Sequence, residues 1–166
     1  MWMGAIRLDV LTKDAPYAGT DNLVTAGIVR DGSSLLDLKL DYPTENDLER
    51  GAERAYYYSN LPWVNDKTPP LPPNVGQNPM PYPAHGVEFS SGMKGHLVLR
   101  LHIWGQDMWI KDNVDAYIRE IKQNATSFDT LGWKEDSTWK YIGTWSQDVA
   151  LSDDSSEGHT IWNLNF

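Results

Sequence analysis

HLVLRLHIW, residues His96–Trp104, alternates without a break: Leu97, Leu99, Leu101 and Ile103 fall on one side, His96, Arg100 and His102 on the other. A period of two with one apolar face is the pattern of a half-buried β-strand. The same period runs outward in both directions. Ile6, Leu8 and Val10 alternate with Arg7 and Asp9; Val24, Ala26 and Ile28 share a face and end at the Asp31-Gly32 turn signal; Leu36, Leu38 and Leu40 alternate with Asp37 and Lys39. Ala52–Tyr58 carries three consecutive tyrosines, and the Val114, Ala116, Ile118 spacing favours strand over helix for Asn113–Ile121. Trp139, Tyr141, Gly143 and Trp145, then Thr160, Trp162, Leu164 and Phe166, complete the set. About eight strands separated by turn signals predict an all-β, antiparallel sandwich.

The chain has 166 residues, enough for one self-sufficient core, so a single domain over residues 1–166 is expected. It lacks cysteine, which excludes disulfides, thiolate metal sites and cysteine nucleophiles. Lys and Arg number 14 against 23 Asp and Glu, a net charge of -9 without a basic cluster. Nucleic acid is therefore excluded as a partner, since its binding depends on neutralising phosphates. The first residues show no signal-peptide pattern and no apolar run reaches membrane-spanning length, so the chain reads as soluble and, by default, cytoplasmic. Eight Trp and eight Tyr against three Phe favour aromatic residues with a polar tip, which suit sandwich cores, sugars and lipid headgroups alike.

Periodicity stops between Asn60 and Gly92. Eight of the ten prolines lie from Pro62 to Pro83, where missing N–H donors preclude a sheet ladder, so residues 60–92 are expected to form a long proline-rich loop insertion. Trp63 on that loop, with Leu61 and Val64 beside it, is the candidate lipid or partner anchor, because a loop tryptophan has no strand face to bury against. Residues 124–166 are read as a C-terminal extension that supplies the terminal strands.

Leu8-Asp-Val-Leu-Thr-Lys-Asp14, Ala18-Gly-Thr-Asp21, Leu40-Asp41, Asn46-Asp-Leu-Glu-Arg-Gly51 and Asp107-Met-Trp-Ile-Lys-Asp-Asn-Val114 follow one another in an order that resembles the PLAT domain. This is the lipoxygenase-homology or LH2 module, a C2-like β-sandwich. The resemblance covers about residues 4–58 and 96–120. It implies two four-stranded sheets and a non-catalytic role in docking to lipid or protein, in some members through calcium held by the loops at one end. Trp109 stands where the family places a core tryptophan.

That resemblance gives the stretch APYAGTDNLV, Ala15–Val24, a second reading, since it is longer than a hairpin connection requires. Calcium takes six to eight oxygen ligands, mixing carboxylates with backbone carbonyls. The metal-ligand set the resemblance implies is the Gly19 carbonyl, Asp41, Asn46, Asp47 and Asp107, and Asp21 offers a further carboxylate in the first loop. Tyr17 departs from calcium-binding members, which can carry an acid there, and the second loop is about one residue longer. The alternative is that Asp21 and Asp47 cap turns by accepting backbone N–H groups.

Other features carry less. His96 and His102 share a strand face but lack a third zinc ligand nearby, and His85 and His159 are isolated. Asn124-Ala-Thr126 matches a glycosylation sequon by chance in a chain read as unsecreted, and Asp153–Gly158 reads as an acidic solvated turn. No nucleophile elbow, phosphate loop or HExxH occurs, so an enzyme is not expected. The expected function is a binding module for lipid headgroups or a protein partner, gated by calcium. Two alternatives stand beside it: a structural subunit forming homo-oligomers through aromatic loops and strand edges, and a carbohydrate-binding sandwich.

Overall fold

The computed structural model describes residues 2–41, 48–59, 87–123, 133–135 and 139–166. The proline-rich stretch with Leu61, Trp63 and Val64, the ligand candidates Asn46 and Asp47, His85 and the sequon lie outside the described residues.

The described residues form eleven strands: β1 (Trp2–Thr12), β2 (Leu23–Arg30), β3 (Ser33–Lys39), β4 (Glu53–Ser59), β5 (Val87–Glu88), β6 (Leu97–Trp104), β7 (Trp109–Gln123), β8 (Trp133–Glu135), β9 (Lys140–Trp145), β10 (Val149–Leu151) and β11 (Ile161–Asn165). Eight of them correspond to the periodic runs of the sequence. The additional three, β5, β8 and β10, have two or three residues each, too short to display a period.

The strands build two antiparallel sheets. In the four-stranded sheet the order is β11-β6-β2-β3. In the other, β1 and β7 are central, β4 and β5 lie end to end along the free side of β1, and β8, β9 and β10 lie end to end along the free side of β7. Its seven strands thus make a layer four strands wide, matching the opposite layer. The inward faces meet in one core: Ile6, Leu8 and Val10 of β1, Val24, Ala26 and Ile28 of β2, Leu97 to Ile103 of β6 at alternate positions, and Val114, Ala116 and Ile118 of β7 are all fully or almost fully buried. Burial of such side chains, at roughly 1.5–3 kcal/mol each, is the main favourable term.

Both open edges are closed by side chains that cross between the layers. At one edge the Tyr58 hydroxyl of β4 donates to the Lys39 carbonyl of β3. At the other, the Trp145 indole of β9 donates to the Asn165 carbonyl of β11 at 2.9 Å. On the outer face of the larger sheet the Arg7 guanidinium pairs with Asp9 at 2.6 Å and stands over the Tyr57 and Tyr117 rings, 5.4 and 5.1 Å from their centroids. Among the described residues no helix is long and apolar enough to cross a membrane.

Candidate functional site

One end of the sandwich gathers connections that are far apart in the chain. Residues 13–22 join β1 to β2, residues 48–52 lead into β4, and residues 105–108 join β6 to β7. They are tied to one another by their backbones. Thr20 N–H donates to the Leu48 carbonyl at 3.1 Å, Ile110 N–H to the Ala18 carbonyl at 2.9 Å and Gly51 N–H to the Lys13 carbonyl at 3.3 Å. Arg50 reinforces the junction through a 2.7 Å contact with Asp14.

The first loop's composition follows from this packing. Ala18 and Thr20 are buried under the neighbouring segment, and a β-carbon on Gly19 would stand 2.8 Å from the Arg50 backbone nitrogen. Small residues are required there because backbone approaches backbone. Tyr17 adopts a φ of 60°, and its side chain is 87% exposed.

Asp107 is held against the first loop. Its carboxylate accepts the Asp21 N–H at 3.2 Å, while its carbonyl accepts the Thr20 hydroxyl and the Asn22 side-chain amide, each at 3.2 Å. Asp41 follows β3 on the same end, where Leu40 N–H donates to the Val24 carbonyl at 2.9 Å. Gly19, Asp21, Asp41 and Asp107 are thus brought to one rim, and Asn46 and Asp47 lie outside the described residues. Their donors are all oxygen, the chemistry that suits a hard cation. Among the described residues, however, no three acidic, histidine or cysteine side chains stand together closely enough to hold a metal ion.

A fourth connection reaches this rim. The acidic turn after β10 packs on the β6–β7 loop: Gly105 N–H donates to the Asp153 carboxylate at 2.8 Å, and the Ser152 hydroxyl donates to the Gln106 carbonyl at 2.9 Å. Within the turn Asp154 accepts both the N–H and the hydroxyl of Ser156, which hold its pKa below the usual carboxylate value. Serine and aspartate at two-residue spacing are turn formers, and that signal was present in the sequence. Its place beside Gly105 was not.

The rim also carries apolar surface. Trp104, at the end of β6, is 52% exposed, and its cross-strand partner Leu23 is 38% exposed. The His102 ring stacks on Trp104 with centroids 3.9 Å apart, and Ile161, paired with His102 across β6 and β11, is exposed too. Four of the five exposed large apolar side chains among the described residues, Tyr17, Leu23, Trp104 and Ile161, thus lie toward this end; Tyr141 alone lies elsewhere. Trp104 follows from the alternation of β6, whereas Tyr17 carries no periodic signal. Trp109, by contrast, is wholly buried, its indole donating to the Thr12 hydroxyl at 2.9 Å, as expected of a core tryptophan.

No protein-family model and no curated protein sequence matches the chain. Among solved structures it is similar to the alpha toxin of Clostridium absonum, with a TM-score of 0.56 and 15% identity over 99% of this chain and 32% of the toxin. The Clostridium perfringens alpha-toxin from avian strain SWCP gives a TM-score of 0.56 and 13% identity over the same shares. Coral 8R-lipoxygenase, whose calcium activation runs through a C2-like domain, gives a lower TM-score of 0.44, with 19% identity over 89% of this chain and 16% of the enzyme. The chain spans about a third of the length of the toxins it matches. At such identities the likeness is one of architecture, and that architecture agrees with the order of motifs and the double layer: the chain folds as a PLAT/C2-like β-sandwich.

Proposed function

We propose that this chain is a non-catalytic module that docks on a lipid surface through the rim at which residues 13–22, 48–52 and 105–108 meet and to which Asp41 leads. The carrying observation is the concentration of exposed Tyr17, Leu23 and Trp104 at the end that also presents Asp21, Asp41 and Asp107. Aromatic side chains with a polar tip partition into the headgroup region, and a leucine beside them adds apolar contact. The fold, shared with the matched region of two toxins, fits a membrane- or lipid-binding module.

Electrostatics divides this docking into two regimes. With a net charge of -9 and a rim of carboxylates, the protein is repelled by anionic headgroups. Calcium held by the Gly19 carbonyl, Asp21, Asp41, Asn46, Asp47 and Asp107 would reverse the local sign and supply attraction to phosphate. Leu61, Trp63 and Val64 of the proline-rich segment would enlarge the apolar contact.

Cosedimentation with vesicles of phosphatidylcholine and phosphatidylserine tests both parts. Binding is expected to rise with calcium, to fall on Trp104→Ala and Tyr17→Ala, and to lose its calcium response on Asp41→Ala or Asp47→Ala. Equal binding in calcium and in chelator removes the gating. Indifference to both aromatic substitutions removes the rim as the docking surface.

A further inference from the structure

Lys111 is fully buried, on the inward face of β7 and at the bottom of a cleft between the edges of the two sheets. The cleft has a volume of about 460 Å³ and is bounded by Trp145, Ser146 and Gln147 on one side and by the β11 residues Trp162–Asn165 on the other. Its two indoles are set by packing: Trp145 is fixed through its N–H on Asn165, and Trp162 rests against the core.

The ammonium of Lys111 donates to the Trp145 carbonyl at 2.6 Å and to the Asp112 carbonyl at 3.1 Å. An ammonium has three donors, and these two partners are neutral. Among the described residues no carboxylate forms an ion pair with it. A buried charge is ordinarily paired directly, because leaving water is costly, whereas here the neighbouring Asp112 carboxylate acts on it only through space. An aliphatic side chain would fill this position at lower cost. What lysine adds is positive potential beneath a cleft with aromatic walls.

We propose that this cleft binds a small organic anion, a carboxylate or phosphate monoester on a planar apolar body. Lys111 pairs with the anionic group, Trp145 and Trp162 flank the body, and Ser146 and Gln147 offer polar contacts at the mouth. None of the cleft residues belongs to the lipid-docking rim, so the site stands independently of that reading.

The test uses benzoate, phenyl phosphate and the uncharged benzyl alcohol, titrated against the ¹⁵N-labelled protein while the eight indole N–H resonances are followed. The anions are expected to shift the Trp145 and Trp162 signals with a Kd of about 1 mM or below, and benzyl alcohol to bind at least about tenfold more weakly. Lys111→Met is expected to remove the preference for anions, Trp162→Ala to weaken both anions, and Trp104→Ala to change nothing. Comparing charged and neutral probes on the unaltered protein decides the matter even if Lys111→Met fails to fold. Equal affinity for benzoate and benzyl alcohol, shifts confined to other indoles, or undiminished anion binding by folded Lys111→Met overturns the proposal. Of the two anions, the tighter one identifies the group the site prefers.

Discussion

Trp109 and Thr12 are joined inside the core by a 2.9 Å hydrogen bond from indole N–H to hydroxyl, linking the first residue of β7 to the last of β1. Both side chains are buried, so neither group has water as a substitute. Trp109→Phe removes the donor, strands the hydroxyl and opens a small void. A loss of about 2–3 kcal/mol in urea unfolding is expected. Adding Thr12→Val removes the stranded group, so the double variant should lose less than the sum of the single changes. Strict additivity would show that the bond contributes nothing.

Gly19 is needed for closeness rather than for backbone freedom, since its β-carbon would stand 2.8 Å from the Arg50 nitrogen and 3.0 Å from the Glu49 Cα. Gly19→Ala should cost about 1–3 kcal/mol, because backbone cannot yield as a flexible side chain can. Hydrogen exchange is expected to quicken at the Thr20 amide, which donates to Leu48 across the same junction. Unchanged exchange there would place the strain elsewhere.

Burial lowers the Lys111 pKa from 10.5 to about 8, with the charge of Asp112 opposing the shift. The nearby Asp148 is engaged with Lys13. Between these two pH values the unfolded chain holds a proton that the folded chain has released, so stability rises with pH through that window. The rise amounts to about 3 kcal/mol when complete. Burial raises the Tyr57 phenol, despite the opposing charge of Arg7, so that group makes stability fall above pH 10. Since Tyr57 is common to both proteins, chemical unfolding of the parent and of Lys111→Met from pH 7 to 11 isolates the lysine. Parallel profiles would contradict a depressed Lys111.

Trp104 and Tyr17 are exposed and touch the core little, so Trp104→Ala and Tyr17→Ala should each leave stability within about 0.5 kcal/mol of the parent. Their effect belongs in vesicle partitioning, expected to fall several-fold. A large loss of stability with unchanged partitioning would reassign them to packing.

Much of the layer structure was legible because alternation holds through all of β6 and from Ile6 to Thr12 of β1. In β9 it does not hold: the pairing with β7 shifts between Ala116 and Tyr117, so Tyr141 is exposed and Ile142 is buried. The order of the loop motifs also pointed to a shared rim. Lys111 was not legible. Counting back from Val114 by twos places Asp112 inward and Lys111 outward. Between Leu11–Asn113 and Thr12–Lys111, however, the pairing of β1 with β7 skips one residue, and this bulge exchanges the two faces. One inserted residue reverses side-chain direction without altering composition, so only the partner strand reveals it. The assembly of β8, β9 and β10 into one layer edge was hidden for a related reason, since three-residue strands have no period to read.

The central position of β1 has a kinetic consequence. This first strand completes its layer only with β7, about a hundred residues later, and β6 likewise waits for β11 at the far end of the sequence. Closing such distant pairs exacts its entropy before contacts repay it, so folding should be slow for a chain of this size. On the ribosome, β2 and β3 can form their hairpin early, yet the apolar faces of β1 and β2 stay uncovered until the later strands emerge. Those nascent edges are where a chaperone would engage this protein, and where misassembly would begin.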